Sequence, residues 1–67
     1  MIKFKVNGAD RQEEEVLPLV ELLEQLDLKH QRLAVEINEE IIRRDRYEEV
    51  SIKDGDLIEI VSFVGGG

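Results

Sequence analysis

Pro18-Leu19-Val20-Glu21-Leu22-Leu23-Glu24-Gln25-Leu26 places leucines at 19, 22, 23 and 26, the i, i+3, i+4, i+7 spacing of one apolar helix face. Glu21, Glu24 and Gln25 fall on the other side. The spacing predicts an amphipathic helix that starts at Pro18, because a proline is tolerated where the first-turn N–H groups lack intrahelical partners. Glu21 sits where the positive end of the helix dipole favours an acid. A leucine stripe of this kind is a core face, so the helix needs an apolar layer to lie on.

Strand patterns on both sides of the helix supply that layer. Upstream, Ile2, Phe4 and Val6 alternate with Lys3 and Lys5, the period of a strand with one apolar face, and Asn7-Gly8 is the turn chemistry of a hairpin. The return strand, Arg11 to Val16, contains Glu13, Glu14 and Glu15. Such charge suits a sheet edge, where it discourages pairing with other chains. Downstream, a connecting loop at Asp27 to Arg32 leads to Leu33, Val35 and Ile37, which alternate with Ala34, Glu36 and Asn38 as a third strand. Asn38-Glu39-Glu40 turns the chain into a short strand at Ile41 and Ile42, and Arg44 to Glu49 reads as irregular or a single helical turn. Asp54-Gly55-Asp56 is then a tight turn before the apolar segment Leu57 to Val64. In that segment Ile58 and Ile60 suit the inner face, which leaves Glu59, Val61 and Phe63 on the outer one.

The order is strand, strand, helix, strand, short strand, strand: an α+β, β-grasp pattern. Four to five strands form a mixed sheet, the first and last paired centrally, with one main helix across one face. One domain, residues 1–64, followed by a flexible glycine tail, 65–67, accounts for the whole chain.

Composition narrows the function. A chain of 67 residues encloses a single small core, and its 42% hydrophobic content is almost all Leu, Ile and Val. Room for an aromatic-lined cofactor pocket is lacking. Without cysteine the chain has neither a disulfide nor a thiol for covalent chemistry. A net charge of −7 repels phosphate backbones and anionic lipid, so nucleic acid and membrane are not the expected partners. With no signal-peptide pattern and no membrane-length apolar run, a cytoplasmic location is expected.

Catalytic side chains are equally scarce. His30 stands alone in a polar loop, Ser51 and Ser62 lack a neighbouring base in sequence, and Asp54-Gly55-Asp56 lacks the acid spacing of a calcium loop. No catalytic residue and no metal site is expected. Arg43, Arg44 and Arg46 form a basic spot in an acidic chain and read mainly as solvated charges. Val61 and Phe63, with Ala34 on the neighbouring strand, form an apolar cluster bordered by Glu59 and Glu36, which is the expected partner-binding surface. The remaining feature is Gly65-Gly66-Gly67. A side-chain-free extension can enter a narrow channel and carry a terminal carboxylate to another protein's reactive atoms. By composition alone the commoner reading is a frayed end.

Glu21-Leu22-Leu23-Glu24-Gln25-Leu26, Val35-Glu36-Ile37-Asn38, Asp54-Gly55-Asp56 and Ile60-Val61-Ser62-Phe63-Val64-Gly65-Gly66-Gly67, in that order, resemble the ThiS family of ubiquitin-like sulfur carriers. The resemblance spans the chain and reverses the reading of the tail. It implies that a ubiquitin-activating-type (ThiF-like) enzyme uses ATP to adenylate Gly67, and that a cysteine persulfide supplies the sulfur of a Gly67 thiocarboxylate. A ThiG-like thiazole synthase would consume that sulfur for the thiazole ring of thiamine. The chain would then be a co-substrate, not an enzyme, with no bound cofactor, and a monomer when free. Alternatives are a carrier for molybdopterin, transfer-RNA thiolation or cysteine synthesis, a ubiquitin-like protein modifier, and a non-covalent β-grasp binding module.

Overall fold

Ile2, Phe4 and Val6 are buried along β1 (Ile2–Val6) while Lys3 and Lys5 stay exposed, so the alternation read in the sequence becomes an inner and an outer sheet face. The computed structural model describes residues 1–63. The expected boundary after Val64 and the tail Gly65, Gly66 and Gly67 lie outside the described residues.

The hairpin turn follows from residue type. Asn7 and Gly8 have φ of 50° and 83°, the left-handed conformations that primed hairpin turns demand and that asparagine and glycine tolerate. The chain returns as β2 (Ala9–Glu13), antiparallel to β1. This strand is shifted from the expected Arg11 to Val16. Tight pairing across the two-residue turn starts it at Ala9, and Glu14 and Glu15 are exposed beyond its end.

A two-residue strand, β3 (Leu17–Pro18), leads directly into α1 (Leu19–Gln25). Leu19, Leu22 and Leu23 are buried and Leu26 packs against the same core, as the leucine spacing predicts. The helix is held at both ends by backbone bonds. At its start the Leu19 N–H donates to Val50 O at 2.9 Å. At its end Asp27 takes φ 59°, its N–H donates to Glu24 O at 3.0 Å, and the Leu28 N–H donates to Leu23 O at 2.8 Å. This is the Schellman arrangement, with aspartate where glycine is usual.

Four further strands complete the body: β4 (Leu33–Ile37), β5 (Glu40–Ile42), β6 (Ser51–Ile52) and β7 (Leu57–Ser62), with a 3-10 helix at Arg44–Glu49. The main sheet has the order β2-β1-β7-β4-β5. Its central pair, β1 and β7, is parallel and the other neighbours are antiparallel. First and last strands therefore meet in the middle and β2 is an edge, both as expected, although only Glu13 of the three glutamates lies within that strand. The small β3–β6 pair was not visible in the sequence. It brings Leu17 and Ile52, both buried, under the helix start.

The core is aliphatic with one aromatic, Phe4, and is filled from the inner face of β1, β4 and β7 together with α1 and the β3–β6 pair. The tight turn at Asp54-Gly55-Asp56 is built by its own acids. Asp54 Oδ1 accepts from the Lys3 N–H, and Asp56 Oδ2 from the Lys53 N–H, each at 2.8 Å. These carboxylates serve backbone donors, which is a structural use of the motif.

Candidate functional site: the outer sheet face and the end of the last strand

Strand β7 positions the site, because its period of two separates core from surface residue by residue. Ile58 and Ile60 are buried. Val61 is 55% exposed and Phe63, next in the alternation beyond the strand, is 57% exposed. Ala34 on β4 is the register partner of Val61 and is also exposed. The structure thus brings Ala34 and Val61 together on the outer face, with Phe63 two residues further along the chain.

Two groups that the sequence reading did not single out join this surface. Ile41 of β5, exposed, pairs in register with Glu36, and Leu57, exposed, lies beside Lys5 at the start of β7. Leu57 follows from the alternation of β7 itself, whereas Ile41 required the sheet register, which residue spacing within one strand does not reveal. Exposed aliphatic groups interleaved with charge form a surface suited to a protein partner.

Charge is divided across the face. Toward β1 and β2, the Lys5 Nζ lies 2.9 Å from Asp10 Oδ1, an exposed pair of little energetic consequence. Toward β4, Glu36 and Glu59 stand directly opposite each other in register. Like charges so placed oppose strand pairing by a few tenths of a kcal/mol, an electrostatic cost on the same face as Ala34 and Val61.

The end of β7 is gripped on both sides. On the β4 side the Phe63 N–H donates to Arg32 O at 2.9 Å, and the Ser62 hydroxyl donates to Gln31 Oε1. On the β1 side the Asn7 side chain binds the backbone of Ile60: the Ile60 N–H donates to Asn7 Oδ1 at 2.8 Å, and Asn7 Nδ2 donates to Ile60 O at 3.1 Å. Sequence marks Asn7 as a turn former. Its bond to a residue 53 positions away has no local signal.

Other candidates are dispersed. His30 is exposed in the loop after α1, and among the described residues no group of three or more His, Asp or Glu could hold a metal ion. Arg43 and Arg46 pair with Asp45 at 3.4 Å and Glu49 at 3.2 Å, all at the surface. Their charge is thus partly matched within the 3-10 helix. Burial pushes the Tyr47 hydroxyl above its ordinary range, with the Arg44 charge opposing that shift. Gly65, Gly66 and Gly67 lie outside the described residues.

The strand order and the single main helix meet a clear counterpart among known proteins. The ThiS family model matches residues 4–67. The chain belongs to the ThiS family. Its ThiS-family relatives include the sulfur carrier protein ThiS of Bacillus subtilis, 42% identical over 65 residues that cover 96% of this chain and 98% of that one. The crystal structure of the ThiS thiamine biosynthesis protein of Geobacter metallireducens superposes with a TM-score of 0.81 at 33% identity, covering 98% of this chain and all of the other. A thiazole synthase of Paramagnetospirillum magneticum is 38% identical over 66 residues. There the ThiS-like chain spans only about a fifth of the longer protein (20%).

Proposed function

We propose that this chain is a sulfur carrier of thiamine biosynthesis whose reacting group is the carboxylate of Gly67. The observation that carries the reading is the family match, which runs through Gly67, together with near end-to-end alignment to a sulfur carrier protein. In this reading the folded body is a handle and the tail is the substrate. A carboxylate is a poor electrophile, so an adenylating enzyme of the ubiquitin-activating type joins it to AMP from ATP and releases pyrophosphate. The terminal sulfur of a cysteine persulfide then attacks the acyl carbon and AMP leaves. Cleavage of the sulfur–sulfur bond by a thiol frees the thiocarboxylate.

The acceptor in this reading is a thiazole synthase. Support comes from two thiazole synthases, each of which contains a stretch similar to this chain within one polypeptide. Such fusion favours thiazole over molybdopterin, transfer-RNA or cysteine as the destination. Val61, Phe63 and Ala34 form the surface on which the adenylating enzyme and the synthase dock in turn. The carrier is a cytoplasmic co-substrate, a monomer when free, and ATP belongs to its activating partner.

The test is ATP–pyrophosphate exchange with the ThiF-like enzyme of the same genome. The full chain should support exchange. The chain lacking Gly67 should not, while its thermal unfolding stays unchanged. Equal exchange by the shortened chain would refute the assignment of the reacting group.

A further inference from the structure

We infer that Asn7 is a positioning residue for the reacting terminus: its side chain replaces a missing strand beside Ile60 and fixes the course of β7 toward Phe63. The inference rests on the sulfur-carrier reading above. Strand β7 is paired unequally on its two sides.

On its β4 side the strand is paired from Ile58 to Ser62, with the Phe63 N–H bonded beyond. On its β1 side the register covers only Leu57 and Ile58, opposite Lys5 and Val6. The cause is the hairpin: β1 ends and the chain turns back at Asn7-Gly8. The last main-chain bond on that side runs from the Asn7 N–H to Ile58 O at 2.8 Å. Backbone groups of alternate residues point to the same edge, so Ile60 is the next residue facing the vacated side.

Asn7 fills that position with its side chain. A primary amide presents a carbonyl acceptor and an N–H donor side by side in one plane, as a peptide group does, and here both are used on a single residue, at 2.8 Å to the Ile60 N–H and 3.1 Å to its carbonyl. Among the described residues no strand pairs with β7 beyond it on that edge. The site makes two demands on one residue type. The backbone needs positive φ, 50°, which asparagine tolerates, and the side chain needs a donor and an acceptor at short reach. Aspartate would put a second acceptor against the Ile60 carbonyl. Glycine would satisfy the turn and leave Ile60 unpaired.

The fold contains its own comparison. Asn38, also in the left-handed region with φ 53°, accepts from the Leu57 N–H through Oδ1 at 3.0 Å. It holds the start of β7 from the other side. Asn7 instead acts three residues before Phe63, where the direction of the departing chain is set relative to the Val61 and Phe63 face. If partners dock on that face, a change of direction at Ile60 alters the angle at which the chain leaves it at Phe63, and so the approach of the reacting terminus, without removing any docking contact. Misplacement of about 1 Å is enough to cost up to about a hundredfold in rate.

The experiment uses Asn7→Gly and Asn38→Gly, which both keep the turns accessible. Amide hydrogen exchange on the isolated chains should show Ile60 losing protection in Asn7→Gly and keeping it in Asn38→Gly. Steady-state ATP–pyrophosphate exchange with the ThiF-like enzyme should then show kcat about tenfold lower and KM for the carrier unchanged in Asn7→Gly alone. Undiminished Ile60 protection in Asn7→Gly overturns the inference whatever the chain's function. Lost protection with unchanged kcat, or an equal fall in Asn38→Gly, overturns it while leaving the sulfur-carrier reading intact. A wild-type chain that is not activated at all refutes that reading, and with it the role given to Asn7.

Discussion

Ala34 and Val61 face one another across the β4–β7 ladder, both exposed on the side of the sheet away from α1. Because alanine is the smaller partner, it leaves the methyl groups of Val61 largely uncovered, and Phe63 adds an exposed ring two residues on. The pair Val61→Ser with Phe63→Ser should therefore leave a cooperative unfolding transition at nearly the same midpoint. Affinity for the adenylating enzyme and for the synthase should fall by about tenfold or more, since buried aromatic anchors tend to dominate interface energies. Partner titration calorimetry beside thermal unfolding checks this. Easy unfolding of the double variant would show that these side chains stabilise the fold itself.

The inner face should fail in the opposite manner. Ile58 is fully buried between β1 and β4, so Ile58→Ala should cost about 2–5 kcal/mol through lost burial and the cavity left behind. Molecules that remain folded should bind partners normally. Urea unfolding gives the cost, and a loss well under about 1 kcal/mol would contradict the packing described.

These two faces were legible before the structure because a strand's period of two is local, and Ile58, Glu59, Ile60 and Val61 display it within one segment. The Asn7-Gly8 hairpin, the leucine helix and the 3-10 stretch were legible for the same reason. What escaped the sequence depends on distant approach. Leu17–Pro18 and Ser51–Ile52 are too short to show any period, and they become strands only because the fold brings them together. The opposition of Glu36 and Glu59 follows from the β4–β7 register. Asn7 announces a turn, but nothing nearby says that its amide reaches Ile60. The proposed reacting end was legible by family resemblance and not by periodicity.

Tyr47 supplies a test by pH. Its folded-state pKa is raised, chiefly by burial and against the opposing effect of Arg44, so the neutral phenol is favoured in the folded chain. Its contribution is complete below the unfolded phenol pKa of about 10 and is lost as pH rises through the higher folded value. Stability of the wild type should fall more steeply than that of Tyr47→Phe above about pH 10. Parallel urea titrations compare the two slopes directly, which removes the shared contribution of the lysines. Identical slopes would mean that Tyr47 is not desolvated in solution.

The most direct test of the sulfur-carrier account is intact-mass analysis of the native chain purified from cells short of thiamine, with fragmentation of its C-terminal peptide. A fraction should carry one sulfur in place of one oxygen, located at Gly67, and this fraction should disappear when the ThiF-like enzyme is deleted. A Gly67 that is always a plain carboxylate under those conditions, or one found joined to lysine side chains of other proteins, would contradict the account.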